Sequence, residues 1–110
     1  MPLYLALLRD SGDATERRQT HLVAHAKHIA QVHQAIAIAG PLRDQQAKIV
    51  GSMFVLDLPD LAAVHAWLAK DPYALADIWQ TPEVLALTPA AGAWIGGLSE
   101  PLKRLLRPEE

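Results

Sequence analysis

The sequence predicts an α+β fold with the element order β-α-β-β-α-β, the ferredoxin-like plan: a four-stranded antiparallel sheet carrying two helices on one face. Three observations carry this. Short apolar runs alternate with segments of helical periodicity in that order. Turn-forming clusters separate them, as at "DSGD", "GPLRD" and "DLPD". The strand candidates "LYLALL" and "IVGSMFVL" are apolar on both sides. A sheet with helices on one face and water on the other alternates apolar and polar residues. These strands therefore call for a cover on the second face as well. A second copy of the same sheet is the simplest cover, and a homodimer with sheets packed face to face is expected. The C-terminal segment folding back over the sheet is the alternative.

The first strand spans Pro2 to Arg9, short, apolar and followed by a turn. Asp13 or Thr15 can cap a helix running to about Ile36, on which Leu22, Ile29, Val32 and Ile36 fall on one face. "AIAGPLRD" leads through a short strand into a turn at Gly40-Pro41. A second long strand covers Lys48 to Leu58. Asp60 is placed to cap the next helix, with Leu61, Val64, Trp67 and Leu68 at helical spacing. Pro72 ends that helix, since the residue before a proline disfavours the α conformation. "ALADIW" suggests one more helical turn, and "EVLALTPAAGAWIGG" carries the last strand. Residues 1–96 form the domain, and 97–110 a tail read as a short helix that frays at its end.

The chain has 110 residues and reads as one domain. It lacks cysteine, which removes disulfides and thiolate chemistry and fits a reducing cytoplasm. The apolar run of "MPLYLALLRDSG" is too short for a signal peptide, and no stretch approaches the roughly 20 apolar residues of a membrane span. Ten basic and twelve acidic residues are interspersed, for a net charge of −2. No basic patch points to nucleic acid. A small molecule or another protein remains as partner, with no membrane involved.

Four short motifs stand in order along the first 90 residues: Arg18-x-x-His21-Leu22, Ala39-Gly40-Pro41-Leu42, Gly51-Ser52 within the second long strand, and Asp71-Pro72-Tyr73. With them the chain resembles the YciI-like proteins of the dimeric α+β barrel superfamily. The resemblance implies a ferredoxin-like dimer with a pocket centred on a His/Asp pair, by position His21 and Asp71. One type of member eliminates chloride from a chlorinated hydroxyhydroquinone. Other family domains are fused to regulators or transport-type modules. The chain departs from the family after the Asp-Pro-aromatic, where Asp77 stands near a usual glycine.

The residues themselves allow that chemistry. A carboxylate beside an imidazole fixes one ring tautomer and favours the imidazolium, as a general acid/base requires. Asp71 also reads as a turn residue just past a helix C-terminus, where the helix dipole disfavours it by about 0.3–1 kcal/mol. Arg18 is a candidate for a substrate carboxylate or phenolate, and equally for a solvated helix charge. Ser52 and the backbone at Gly40-Pro41 can orient a substrate oxygen. Tyr73 and Trp79 are candidate pocket walls, and an apolar, aromatic-lined pocket suits a small organic molecule.

Four of the five histidines lie between His21 and His33. Relative to His21, His25 falls at about +40° and His28 at about −20°, with the apolar face centred near about +60 to +80°. His25 is nearest the core side. His21, His25 and His28 span about 10 Å of helix axis, too long for three ligands on one metal. No metal site is expected, and His25 is expected at the pocket rim or core. His28, His33 and His65 read as surface residues.

The expected function is a cofactor-independent lyase, isomerase or dehalogenase acting on a small organic metabolite, with His21 as acid/base and Asp71 orienting it. The alternative is a non-catalytic dimeric module that binds a small ligand or a partner protein. A His-rich metal-binding accessory protein is a third reading.

Overall fold

The structure, a computed structural model, describes residues 2–107. Strand β1 (Leu3–Arg9) lies inside a four-stranded antiparallel sheet. Beside it runs β3 (Ile49–Asp57), with β2 (Ile36–Arg43) at one edge and β4 (Glu83–Leu87) at the other, in the order β2-β3-β1-β4. Side chains alternate across a strand. Ala6 and Leu8 therefore face the helices with their partners Phe54 and Val84, and Leu56 shares that side. The core forms where these residues meet Val64 and Leu68 of α2 (Leu61–Ala69) and the buried Tyr73, Ile78 and Trp79. The α+β, ferredoxin-like plan read from the sequence is the one observed.

Gly51 shows how closely β1 and β3 are fitted. It sits opposite Arg9, and a Cβ there would lie 2.5 Å from the Leu8 carbonyl oxygen. No side chain fits without moving the backbone.

Helix α1 (Thr15–Val32) starts close to the expected place, but its N-cap is Ala14 with no side-chain cap rather than Asp13 or Thr15; Asp13 Oδ1, outside the helix, accepts from the Thr15 N–H and hydroxyl. It ends earlier than predicted. A 3₁₀ turn covers His33–Ala35, and Ile36 already belongs to β2, paired with Leu56. Ile36 fits both the helical repeat and the strand alternation that continues through Ile38. Pairing with β3 satisfies its backbone, and the strand prevails.

Gly40-Pro41 is a second correction. It lies within β2, and the chain reverses later, at residues 44–47. There Asp44 Oδ1 accepts from the N–H groups of Gln46 and Lys48, and Ala47 takes a positive φ of 65°. Pro41 is tolerated because β2 is an edge strand and needs no donor on its outer side.

Asp60 caps α2 through the Ala63 N–H, as expected. The following turn differs from the expected one. Helix α3 is a single turn at Pro72–Leu75, with Pro72 in its first turn and Asp71 as its N-cap. The dipole argument against a carboxylate after α2 is thereby reversed, because Asp71 stands at the favourable end of the next helix.

Beyond β4, residues 89–107 form a two-stranded hairpin, β5 (Ala91–Gly92) with β6 (Gly97–Leu98), and helix α4 (Glu100–Leu106) capped by Ser99. Among the described residues, every hydrogen bond and ion pair of this segment is internal to it. Residues 108–110, where the tail was expected to fray, lie outside the described residues. No helix is long and apolar enough to cross a membrane among those described.

Candidate functional site

On α1, Arg18, Leu22, His25 and Ile29 follow one another at helical spacing and so share a face. That face looks across to the helix-side residues of the β2–β3 pair, Ala39, Pro41, Ser52 and Phe54. Between them lies a cavity of about 510 Å³, lined by all eight of these residues and by Tyr73, with Arg43 and Lys48 from the hairpin end.

One wall is an ion-pair clamp. Arg18 Nε and Nη2 donate to Asp10 Oδ2 and Oδ1 at 2.8 and 2.7 Å, and Nη2 also donates to Ser52 Oγ at 3.1 Å. All three residues are buried. The guanidinium lies 5.2 Å from the Tyr73 ring centre, and the Tyr73 hydroxyl donates to the Arg18 carbonyl at 3.2 Å. A bidentate guanidinium–carboxylate pair is directional, so it sets the Arg18 side chain in one orientation. Burial raises the Tyr73 phenol above its ordinary value of 10.0, partly offset by the charge of Arg18. Tyr73 thus presents a neutral ring.

On the same face of α1 stands a histidine–aspartate pair. His25 Nδ1 lies 2.8 Å from Asp71 Oδ1. Asp71 is fully buried, and the same oxygen accepts the Tyr73 N–H at 2.9 Å. Where Asp71 is ionised it only accepts, and the proton of this bond then comes from Nδ1 of His25. The imidazole stacks on Tyr73, with centroids 4.0 Å apart and planes within 3°, and meets the edge of Trp79 at 6.2 Å. Asp71 Oδ2 is buried with no partner among the described residues. Such a group is costly in a core and concentrates at working sites.

The structure rearranges several sequence expectations. The carboxylate assigned to His21 is held by His25. Four residues separate the two, about 6 Å along the axis and 40° around it, and that step takes His21 off the cavity wall. Gly40, Pro41, Ser52, Tyr73 and Arg18 line the cavity. Arg18 is a buried, paired residue rather than a solvated charge. Trp79 is buried behind the rings of His25, Tyr73 and Phe54 and does not reach the cavity. Among the described residues no three His, Asp or Glu side chains converge as a metal site. In the sequence Asp10 reads only as a turn residue. Its signal was present, since Ala6, Leu8 and Asp10 follow one another at period two on the helix-facing side. Arg43 and Lys48 carried no local signal.

A family model described as YCII-related domain matches residues 2–88. The chain belongs to the YCII-related family. Its fold is shared with the 5-chloro-2-hydroxyhydroquinone dehydrochlorinase TftG from Burkholderia phenoliruptrix AC1100, solved in complex with 2,5-dihydroxybenzoquinone. Identity is 18% and the TM-score 0.68, over 84% of this chain and 97% of that one. An antibiotic biosynthesis monooxygenase matches with 15% identity and a TM-score of 0.50, over 82% of this chain and 99% of that one. No curated protein matches the sequence. Within this YCII-related chain, Asp77 has a positive φ of 55°. That is the backbone conformation glycine adopts most freely.

Proposed function

We propose that this YCII-related protein is an acid/base enzyme in which His25, oriented by Asp71, moves a proton on a small organic molecule held in the cavity. The contact between His25 Nδ1 and a fully buried Asp71 carries the reading. With Nδ1 on Asp71, Nε2 is the nitrogen of this cavity-lining ring left to act as base or acid, and the Tyr73 stack holds the ring plane. Arg18 and Ser52 belong to the binding wall, with Gly40, Pro41 and Tyr73 around them. His21 takes no part.

The reaction class is a lyase, isomerase or dehalogenase step. Loss of HCl from a chlorinated hydroquinone illustrates what one histidine can do. A hydroxyl proton moves to the carbon bearing chlorine. The C–Cl bond then breaks, chloride leaves with the bonding pair, and a second hydroxyl loses its proton to give the quinone. Each proton transfer needs one group that accepts and returns a proton, worth about 10²–10⁴ in rate.

The unit that carries this site is a homodimer. On the face of the sheet away from the helices, Leu5, Leu7, Met53, Leu85 and Leu87 form an apolar surface, with Leu85 and Leu87 exposed. The C-terminal segment does not close over it through any hydrogen bond among the described residues. Packing against the same face of a second copy removes this surface from water.

The test is chloride release from a panel of chlorinated hydroxyhydroquinones, followed by quinone absorbance. The wild type is expected to convert at least one. His25→Gln and Asp71→Asn are expected to lower the rate by about 10²–10⁴, and His21→Gln to leave it unchanged. Conversion that survives His25→Gln contradicts the proposal, and binding of the whole panel without conversion favours the ligand-binding module.

A further inference from the structure

The wall of the cavity is cationic in a chain that is not. Among the described residues it carries Arg18, Arg43 and Lys48, with the His25 ring beside them, and no Asp or Glu, whereas the whole chain has twelve acidic and ten basic residues. The acids that pair with this wall lie outside the cavity lining: Asp10 against Arg18, Asp71 against His25, and Asp13 beside Lys48 at 3.2 Å. Two cationic positions remain available. Arg43 has no carboxylate partner among the described residues, and its hydrogen bond goes from Nη1 to the Ala47 carbonyl. Arg18 spends Nε and Nη2 on Asp10 and Ser52, while Nη1 makes no hydrogen bond among the described residues. Leu22, Ile29 and Phe54 give the wall an apolar part, and Thr15, Gln19 and Ser52 add neutral polar groups.

We infer that the cavity takes a flat organic anion, a carboxylate or an enolate, whose charge rests against Arg18 Nη1 and Arg43 while its apolar body packs between α1 and the β2–β3 pair. A guanidinium presents planar donors matched to such an oxyanion. The Asp10 clamp holds Arg18 in place beforehand, so little ordering is needed on binding. Arg43 sets the preference for charge from the hairpin. This deepens the acid/base reading by naming its substrate class, and rests on the same cavity.

The experiment is an NMR titration of the full chain with benzoate and with benzamide, which match in shape and differ in charge. Benzoate is expected to bind at least about tenfold more tightly. Arg43→Gln is expected to remove most of that difference and leave benzamide unchanged, while Arg43→Lys retains it. Raising the salt concentration is expected to weaken benzoate alone. Equal binding of the two probes, binding of neither, or an equal loss of both in Arg43→Gln overturns the inference. The same titration on His25→Gln separates the two proposals. Benzoate preference that persists there while turnover is lost supports both. Absent preference with His25-dependent turnover overturns the anion inference alone. Preference with turnover that ignores His25 overturns the acid/base reading alone.

Discussion

Asp77 holds a left-handed backbone that costs an ordinary L-residue about 1–2 kcal/mol and an Asp somewhat less. Its carbonyl accepts from Arg17 Nη1 at 2.9 Å, tying the segment after α3 to the start of α1. Asp77→Val is therefore expected to destabilise the protein by about 1–2 kcal/mol, and Asp77→Gly to leave it at least as stable. Urea unfolding of the two variants checks this, and equal stability of Val and Gly would show that the backbone is not constrained there. The same residue shows what a sequence can reveal: the departure from the family glycine was visible, while its conformational meaning needed φ. The histidines teach the converse. The helical wheel already put His25 nearest the apolar face, yet the Arg-x-x-His spacing pointed to His21. Which histidine meets Asp71 depends on how α1 and α3 dock, a tertiary contact that no local spacing encodes.

Elements were legible where one signal governed them. β1, β3 and α2 appear nearly as read, because short apolar runs, turn residues and the Asp60 cap all agree. Boundaries slipped where two signals overlapped, as at Ile36, or where a turn signal fell on an edge strand, as at Gly40-Pro41. The helix-breaking role of Pro72 was legible, but not that Asp71 would cap a new turn with it. Close approach of β1 and β3 at Gly51 makes a prediction at this scale. Gly51→Ala forces a methyl to 2.5 Å from the Leu8 carbonyl oxygen. A loss of about 1–3 kcal/mol is expected, as for other overpacked sites, measured as a drop in thermal midpoint. An unchanged midpoint would mean the strands part without cost.

For the whole molecule, the apolar second face of the sheet was legible from strands that fail to alternate. The radius of gyration of 16.7 Å exceeds the roughly 13 Å of a compact 100-residue domain. The apolar C-terminal segment adds to the exposed surface, with Trp94 82% and Leu105 81% exposed. Light scattering is expected to report a dimer, and Leu85→Glu to shift it toward monomer; a monomeric wild type would remove the homodimer. Stability is expected to fall at both ends of the pH scale. Hydrogen bonds from Thr15 and then the neighbouring Lys48 hold the Asp13 carboxyl down at about 2, below the ordinary 3.8. Its contribution is present above pH 3.8 and lost as pH falls toward about 2, so Asp13→Asn should flatten that limb. Tyr73 is shifted the other way, by burial first. Its contribution is full below pH 10.0 and lost as pH rises through the folded value, so Tyr73→Phe should flatten the alkaline limb.

The orientation of one ring decides the account. ¹⁵N NMR of the histidine side chains, at a pH where they are neutral, reads which nitrogen carries the proton. The predicted result is a single tautomer for His25 with the proton on Nδ1, donated to Asp71, and a bare Nε2, while His21 shows the mixture of a solvated ring. A His25 ring protonated on Nε2, or a fixed Nδ1–H tautomer on His21 in its place, would contradict it.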